Sequence, residues 1–186
     1  MSAMKTKRLT TLAMLIAIYC VLSVLTPIKV LNFKFTFEAF PVYIASLLLG
    51  PIDGLVVGGV GSFIYQLFFS GYGITVTTFL WILPHAISGV IAGLYAKYKK
   101  FTLSFSQTCF IVIISNLLVT ALNTLALYVD SKMFGYYSKM LVFGSLGIKV
   151  IVGIILAIIY SLTIPKLSTL IKKYMLIREG LNVDRY

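Results

Sequence analysis

Residues that could carry acid–base or metal chemistry are few in this sequence and lie far apart. The one histidine is His85, and the acidic residues are Glu38, Asp53, Asp130, Glu179 and Asp184. No cysteine or acid stands at metal-ligand spacing from His85, and the acids are too dispersed for a carboxylate pair or metal site formed by local spacing. A GxxxxGK[ST] phosphate-binding loop is missing too. We therefore expect no enzyme activity, no metal and no cofactor.

A second group of candidates consists of polar or amphipathic residues inside long apolar runs. An amide or a charge in hydrocarbon is costly and usually faces a cavity or a partner. The topology described below brings six such residues to one depth in the outer half of a membrane, where they would line a substrate pocket. They are Gln66, Trp81, His85, Asn123, Tyr128 and Lys149.

Other interpretations of these residues stay open. For the amides, a hydrogen bond between helices is the alternative to ligand contact, and Asn116, which lies deeper, is expected to make such a bond. Lys149 differs, because a lone cation about two turns inside a span needs a counter-charge or water. Its role is either ligand binding or an ion pair.

Charged and aromatic residues alternate in the segment Lys34-Phe35-Thr36-Phe37-Glu38. On an outer loop, this segment would form a short lid over the pocket, with Lys34, Phe35 and Glu38 in contact with the substrate. The alternative is an interfacial belt of aromatic residues.

Ala13 and Ala17 form a small-xxx-small pair in the first apolar run. Such pairs let two helices approach closely where lipid provides no hydrophobic drive. The pair predicts either internal packing or a docking face for another membrane subunit.

The elements that position these residues follow from composition. The chain has 186 residues, of which 60% are hydrophobic and only 11% are charged, far from the roughly 25% charged residues of a soluble domain. We predict an all-α integral membrane protein that forms a single domain over residues 1–186. Its six transmembrane helices are expected at about 9–27, 38–49, 55–69, 77–96, 105–128 and 141–162.

The orientation in the membrane follows from the positions of the basic residues. They lie at the ends of the apolar runs and not on one polar face, so the net charge of +11 does not indicate nucleic-acid binding. With six crossings, eleven Lys and Arg residues of the N-terminus, the 97–100 loop and the C-terminal tail share one side. Four lie on the other side, and Lys149 falls within the last span. The positive-inside rule then places both termini in the cytoplasm, and requires the short second run to cross.

Several local patterns together resemble one known family. They are Ala13-Met14-Leu15-Ile16-Ala17, then Phe35-Thr36-Phe37-Glu38-Ala39-Phe40-Pro41, Leu49-Gly50-Pro51 followed by Gly54 and Gly58, and Leu83-Pro84 to Gly93-Leu94. Over about residues 8–171 the chain resembles the substrate-binding S components of energy-coupling factor (ECF) vitamin transporters, most of all the folate-family branch.

The resemblance implies a six-helix subunit of the bacterial plasma membrane that captures a water-soluble vitamin from outside. Its partners would be the lipid bilayer, an ECF transmembrane subunit docked at Ala13 and Ala17, and two ATPases that supply the energy. A folate-like substrate is favoured, with Lys34 or Lys149 opposite an anionic tail and Trp81 or Phe35 stacked on a flat ring. Riboflavin, a pyridoxine-like ring and pantothenate remain alternatives.

Two rival functions come from other classes. A small membrane enzyme acting on lipid or prenyl substrates would need clustered acids at the cytoplasmic face, where this chain has only Asp53 before the tail. A purely structural assembly subunit would bind no small molecule.

Overall fold

The computed structural model describes residues 3–26, 28–30, 33–71 and 73–178, with side chains for residues 6–26, 36–71 and 73–167. Nine elements follow one another along this part of the chain. They are α1 (Ala3–Leu25), β1 (Ile28–Val30), β2 (Phe33–Phe35), α2 (Ala39–Leu48), α3 (Pro51–Phe68), α4 (Thr78–Tyr98), α5 (Phe105–Met133), α6 (Lys139–Phe143) and α7 (Leu146–Arg178).

The all-α membrane class is confirmed. Five stretches are long and apolar enough to cross a membrane, and the short apolar helix α2 is added to them. The only strands among the described residues form an antiparallel hairpin between α1 and α2, in which Lys29 pairs with Lys34. The chain is thus a multi-pass membrane protein with a small hairpin on one loop.

Four helices differ from the predicted spans. α1 begins at Ala3, six residues before the predicted start, and α5 ends at Met133, five residues after the predicted end. α3 begins at Pro51, where the sequence predicted residue 55, because proline is well suited to a first helical turn and Gly50, with φ +120°, redirects the chain just before it. The last predicted span, 141–162, is divided at Gly144 and Ser145 into α6 and the 33-residue α7.

The short helix α2 lies at the centre of the bundle. Val42, Tyr43, Ala45 and Ser46 on it are completely buried, and the helix contacts α1, α3, α4 and α7. Ten residues at about 1.5 Å each reach only about 15 Å, half of a hydrocarbon core of roughly 30 Å. The half of the hydrocarbon core that α2 does not span is therefore expected to be crossed by the segment before α2.

One end of the bundle, here called the basic end, is held by an ion pair. The Arg8 guanidinium of α1 donates from Nε to Asp53 Oδ1 at 2.9 Å and from Nη2 to Asp53 Oδ2 at 2.5 Å. Asp53 is in the first turn of α3, where a carboxylate also favours the helix dipole. The 97–100 loop lies at the same end, because Gly93 approaches Pro51. The opposite end, which carries the hairpin, is called the hairpin end.

Glycines bring α3 and α4 into backbone contact. A Cβ at Gly54 would lie 2.7 Å from the carbonyl oxygen of Gly89, and a Cβ at Gly58 would overlap the carbonyl group of His85. Only residues without a side chain permit this distance. The α3–α4 contact therefore fixes the position of His85 in the bundle.

Candidate functional site

The centre of the candidate site is a contact between Glu38 and His85. His85 Nε2 lies 3.2 Å from Glu38 Oε1, although the two residues are 47 positions apart. His85 is buried and Glu38 is about one-fifth exposed at its side chain. This pair brings together two of the predicted substrate-binding residues and joins the segment before α2 to α4.

The His85 ring is held from several sides. It makes an edge contact with Tyr19 of α1 at a centroid distance of 5.5 Å, and the Tyr19 hydroxyl is hydrogen-bonded to Ser62 of α3 at 2.9 Å. The backbone at His85 is pressed against Gly58. A buried imidazole with one nitrogen on a carboxylate and its ring against an aromatic face has a defined orientation, and its Nδ1 has no hydrogen-bond partner among the described residues.

Aromatic rings close the site beside Glu38. Tyr160 of α7 lies 6.3 Å from Phe37, 5.5 Å from Phe40 and 5.9 Å from Tyr43, measured between ring centroids. Tyr160 is 1% exposed, and its hydroxyl makes no hydrogen bond within the described part of the chain. α7 thus packs on α2 through a cluster of aromatic rings, in which the Tyr160 hydroxyl is the polar group without a hydrogen bond among the described residues.

Below this cluster, Asn116 of α5 connects three helices. Its side-chain oxygen accepts a hydrogen bond from the Tyr43 hydroxyl at 2.8 Å, and its amide nitrogen donates to the Gly153 carbonyl at 3.1 Å. The predicted interhelical hydrogen bond of Asn116 is confirmed. Because its side-chain oxygen and its amide nitrogen both make hydrogen bonds between helices, Asn116 has a structural role.

The hairpin is anchored at its base. The Phe37 amide donates to the Thr26 hydroxyl at 3.3 Å, so the residues before β1 and after β2 are joined. Lys34 and Phe35 form β2 by their backbone, but their side chains lie outside the described part of the chain. Their substrate contacts stay a prediction.

A second polar contact lies at the hairpin end. The Thr77 hydroxyl, just before α4, and the Tyr136 hydroxyl, just after α5, both donate to the Asp130 carboxylate. This acid therefore ties two loops to α5. Tyr128, a predicted pocket residue, lies two residues before Asp130 on α5 and packs on Tyr137 at 5.5 Å between ring centroids.

The other predicted pocket residues do not join the Glu38–His85 contact directly. Gln66, Trp81, Asn123 and Lys149 are each partly buried. In the described regions, no hydrogen bond links Gln66, Trp81 or Asn123 to Glu38 or His85. Lys149 lies one turn after the start of α7, where its amide donates to the Ser145 carbonyl at 2.9 Å.

An open depression of about 440 Å³ lies elsewhere, at α6, and is lined by Lys139, Met140, Phe143 and Gly144. Met140 is 84% exposed, as expected for a shallow surface feature. The depression includes none of the predicted pocket residues. Among the described residues, no three His, Cys, Asp or Glu side chains come together as a metal site.

The predicted docking pair lies on the surface. Ala13 and Ala17 are both exposed, whereas Leu12, Leu15 and Tyr19 of the same helix are buried. At about 100° per residue, the alanines are on the side of α1 opposite to the packed one. Within the described part of the chain, the pair therefore lies on a surface that another protein could reach.

Sequence reasoning missed three residues of the site. Tyr19, Ser62 and Tyr160 lie in apolar runs with ordinary composition, and their partners are far away along the chain. Pro84 before His85 was the nearest signal, since it marks a point where α4 departs from a regular hydrogen-bond pattern.

Comparison with known proteins identifies the group to which this geometry belongs. The family model for the substrate-specific component of ECF transporters matches residues 7–168. No curated protein sequence matches the chain at a significant level. The resemblance inferred from the sequence is confirmed by the family match.

Solved structures of S components have a fold similar to that of this chain. The S component of a bacterial ECF transporter is 26% identical, with a TM-score of 0.70 over 90% of this chain and 99% of that chain. The S component for biotin from an ECF-type ABC transporter is 19% identical, with a TM-score of 0.65 over 91% and 95%. FolT bound with folic acid is 21% identical, with a TM-score of 0.62 over 83% and 88%. The last two show a shared fold.

Proposed function

Because the chain belongs to the family of substrate-specific components of ECF transporters, we propose that it binds a water-soluble vitamin from the outside and delivers it through an energising module. The family match over residues 7–168 carries this proposal. The buried polar and aromatic groups around Glu38 support it, because such groups at membrane depth more often line a binding site than face lipid.

The proposed site lies in the outer half of the membrane, under the hairpin. Its inner limit is the Glu38–His85 pair, which occupies the depth left free above the short helix α2. The walls are proposed to include Gln66, Trp81, Asn123, Tyr128 and Lys149, and the lid Lys34 and Phe35. An aromatic ring would stack on the substrate, and the amides would fix its orientation.

A folate-like vitamin is the favoured substrate. The support is the likeness to the folate-family branch and a chemistry that suits a flat ring with an anionic tail, namely Trp81 on α4 and Lys149 on α7, two helices that both pack on α5. Riboflavin, a pyridoxine-like ring and pantothenate are the alternatives. The related structures bind different vitamins, biotin in one case and folic acid in another.

The proposed partner is an ECF transmembrane subunit, and through it two ATPases. Ala13 and Ala17 are its proposed contact, and their exposure supports this role. The proposed location is the bacterial plasma membrane, with both termini in the cytoplasm, which places the basic end inside and the hairpin end outside.

A membrane enzyme that uses a metal at the cytoplasmic face is disfavoured by one observation. Both carboxylate oxygens of Asp53 are bound by Arg8, and the Asp53 side chain is 3% exposed. The acid on which such an enzyme would depend is therefore already paired.

Uptake into membrane vesicles tests the proposal. We expect accumulation of a labelled vitamin only when this chain, the transmembrane subunit and the ATPases are all present with ATP. Metal-dependent turnover of a lipid by the isolated chain, without vitamin binding, would contradict it.

A further inference from the structure

The Asp130 carboxylate connects the loop before α4 with the loop after α5. Thr77 and Tyr136 each donate a hydroxyl hydrogen bond to it. Thr77 is 1% exposed and directly precedes α4, yet its side chain does not cap that helix and bonds across to α5 instead. Among the described residues Asp130 makes no ion pair, and neutral hydroxyl groups are its donors. The contact therefore fixes the start of α4 against the end of α5.

The loop before α4 is itself held by hydroxyl groups. The Thr75 amide donates to the Thr78 hydroxyl at 2.8 Å, and the Thr75 and Thr77 hydroxyls are 3.0 Å apart. Trp81 follows Thr77 by four residues, so the two lie on the same side of α4, one turn apart. The position of Thr77 therefore sets the turn that carries Trp81.

The loop after α5 folds back onto the end of that helix. The Tyr136 amide donates to the Ser131 carbonyl at 3.0 Å, and the Tyr136 hydroxyl donates to the Asp130 carboxylate. The next residue, Tyr137, packs edge-on against Tyr128. The bond between Tyr136 and Asp130 therefore holds in place the ring that contacts Tyr128.

We propose that Asp130 is a positioning residue of the vitamin site, which through Thr77 and Tyr136 sets the orientation of Trp81 and Tyr128 without itself touching the vitamin. This inference rests on the proposed function, in which Trp81 and Tyr128 are walls of the site. The alternative is direct contact, in which the Asp130 charge would bind a cationic group of the substrate. The two roles differ in whether the charge is needed and in whether the Trp81 ring moves when the contact is broken.

Trp81 is the one tryptophan of the chain, so its fluorescence reports on the contact even without a bound vitamin. Thr77→Val removes the hydroxyl but keeps the branched shape, and in the purified full chain it should lower the anisotropy of Trp81 and increase its quenching by acrylamide. Thr124→Val is the matched control, because Thr124 is 7% exposed and its hydroxyl donates to the Thr120 carbonyl of its own helix. This control should leave the Trp81 signal unchanged.

Affinity separates a positioning role from direct contact. Asp130→Ala removes both bonds and should weaken binding of folate, titrated calorimetrically, at least about tenfold, because both loops are then free to move. Asp130→Asn removes the charge but can accept from one hydroxyl and donate to the other, so it should restore the affinity to within about threefold of the natural chain. Riboflavin, pyridoxine and pantothenate take the place of folate if folate is not bound.

A double variant tests whether the effect passes through Trp81. Thr77→Val should weaken folate binding in the natural chain, but by less than about twofold when Trp81→Ala is already present, since both changes act on one ring. Should Asp130→Ala fail to fold, Thr77→Val and Tyr136→Phe each have to weaken folate binding in its place.

Three results in folded protein would overturn the inference. One is a Trp81 signal that neither Thr77→Val nor Asp130→Ala changes. Another is equal loss of affinity in Asp130→Ala and Asp130→Asn, which would assign the carboxylate to direct contact with the substrate. The third is additive weakening by Thr77→Val and Trp81→Ala. Binding of no vitamin would contradict the proposed function, whereas the placement of Trp81 by Asp130 would still be decided by fluorescence.

Discussion

Gly54 and Gly58 on α3 and Ala13 and Ala17 on α1 are small residues with the same four-residue spacing, yet their surroundings are opposite. The glycines are buried against the backbone of α4, whereas both alanines are exposed. In a membrane, small residues mark places where another helix comes close. A four-residue spacing of small residues therefore identifies a contact surface, but it does not show whether the partner helix belongs to the same chain.

The buried glycine pair and the exposed alanine pair belong to two different proposed functions of the bundle, substrate binding and assembly. The α3–α4 contact holds His85 beside Glu38 and therefore belongs to the proposed substrate site. The exposed side of α1 that carries Ala13 and Ala17, here called the α1 surface, packs on no helix among the described residues and belongs to the proposed assembly with the energising module. Substitutions of Ala13 and Ala17 should therefore reduce uptake without weakening vitamin binding, whereas substitutions at the α3–α4 contact should reduce both.

The largest effect is expected from Gly58→Ala. The added Cβ would overlap the His85 carbonyl, and neither backbone can move without opening the α3–α4 contact. We expect a loss of roughly 1–3 kcal/mol or more of stability and loss of vitamin binding, measured by thermal unfolding in detergent and by titration. Gly59→Ala is the control, because a Cβ there lies 3.8 Å from the Ala86 Cβ. Equal stability of the two variants would contradict a backbone contact between Gly58 and His85.

The next effect is expected from replacing Ala13 and Ala17 together with Trp. Bulky rings on this surface should prevent close approach of a partner helix, so uptake should be abolished while vitamin affinity of the isolated protein stays within about twofold. Ser at both positions keeps the side chains small and should preserve uptake. If binding and folding are lost together, the alanines have an internal packing role.

A smaller effect is expected at the proposed pocket walls. Lys149→Met and Trp81→Ala should each weaken vitamin binding by at least about tenfold without unfolding the protein. Complex formation with the energising module should persist, because neither residue lies on the α1 surface. Unchanged affinity in both variants would place the substrate site elsewhere.

The smallest functional effect is expected from single cysteine substitutions that test the orientation of the chain in the membrane. With Cys20 and Cys109 replaced, Lys132→Cys should react with a membrane-impermeant thiol reagent on intact cells, and Lys100→Cys should not, because the positive-inside rule places the 97–100 loop in the cytoplasm. Uptake should be nearly unchanged in both. The reverse labelling pattern would invert the topology, and with it the side from which Ala13 and Ala17 are reached.

The membrane class and the family were predictable from the sequence because they depend on local composition. Apolar runs, flanking lysines and the glycine and proline positions around Gly50 and Pro84 are properties of short segments. The start of α3 at Pro51 was missed by four residues, because a buried acid, Asp53, looks like a loop residue until Arg8 is found beside it.

The site was predictable only in part. The six residues expected at one depth include His85, but it contacts Glu38, which was predicted to lie in the lid, and its ring packs on Tyr19 of another helix. Contacts between residues 47 or more positions apart depend on how helices rotate against each other, which the backbone contact at Gly58 determines. The interruption at Gly144 and Ser145 has no strong sequence signal, since a glycine and a serine are common in membrane helices.

Vitamin binding by this chain can be tested by a screen of the purified protein across the water-soluble vitamins, read by native mass spectrometry and calorimetry. We predict one vitamin bound with one-to-one stoichiometry, with an affinity that Trp81→Ala weakens at least about tenfold and that the double Trp variant of Ala13 and Ala17 leaves unchanged. A folded protein that binds none of the vitamins would contradict the central claim that this chain is the vitamin-binding subunit of an ECF transporter.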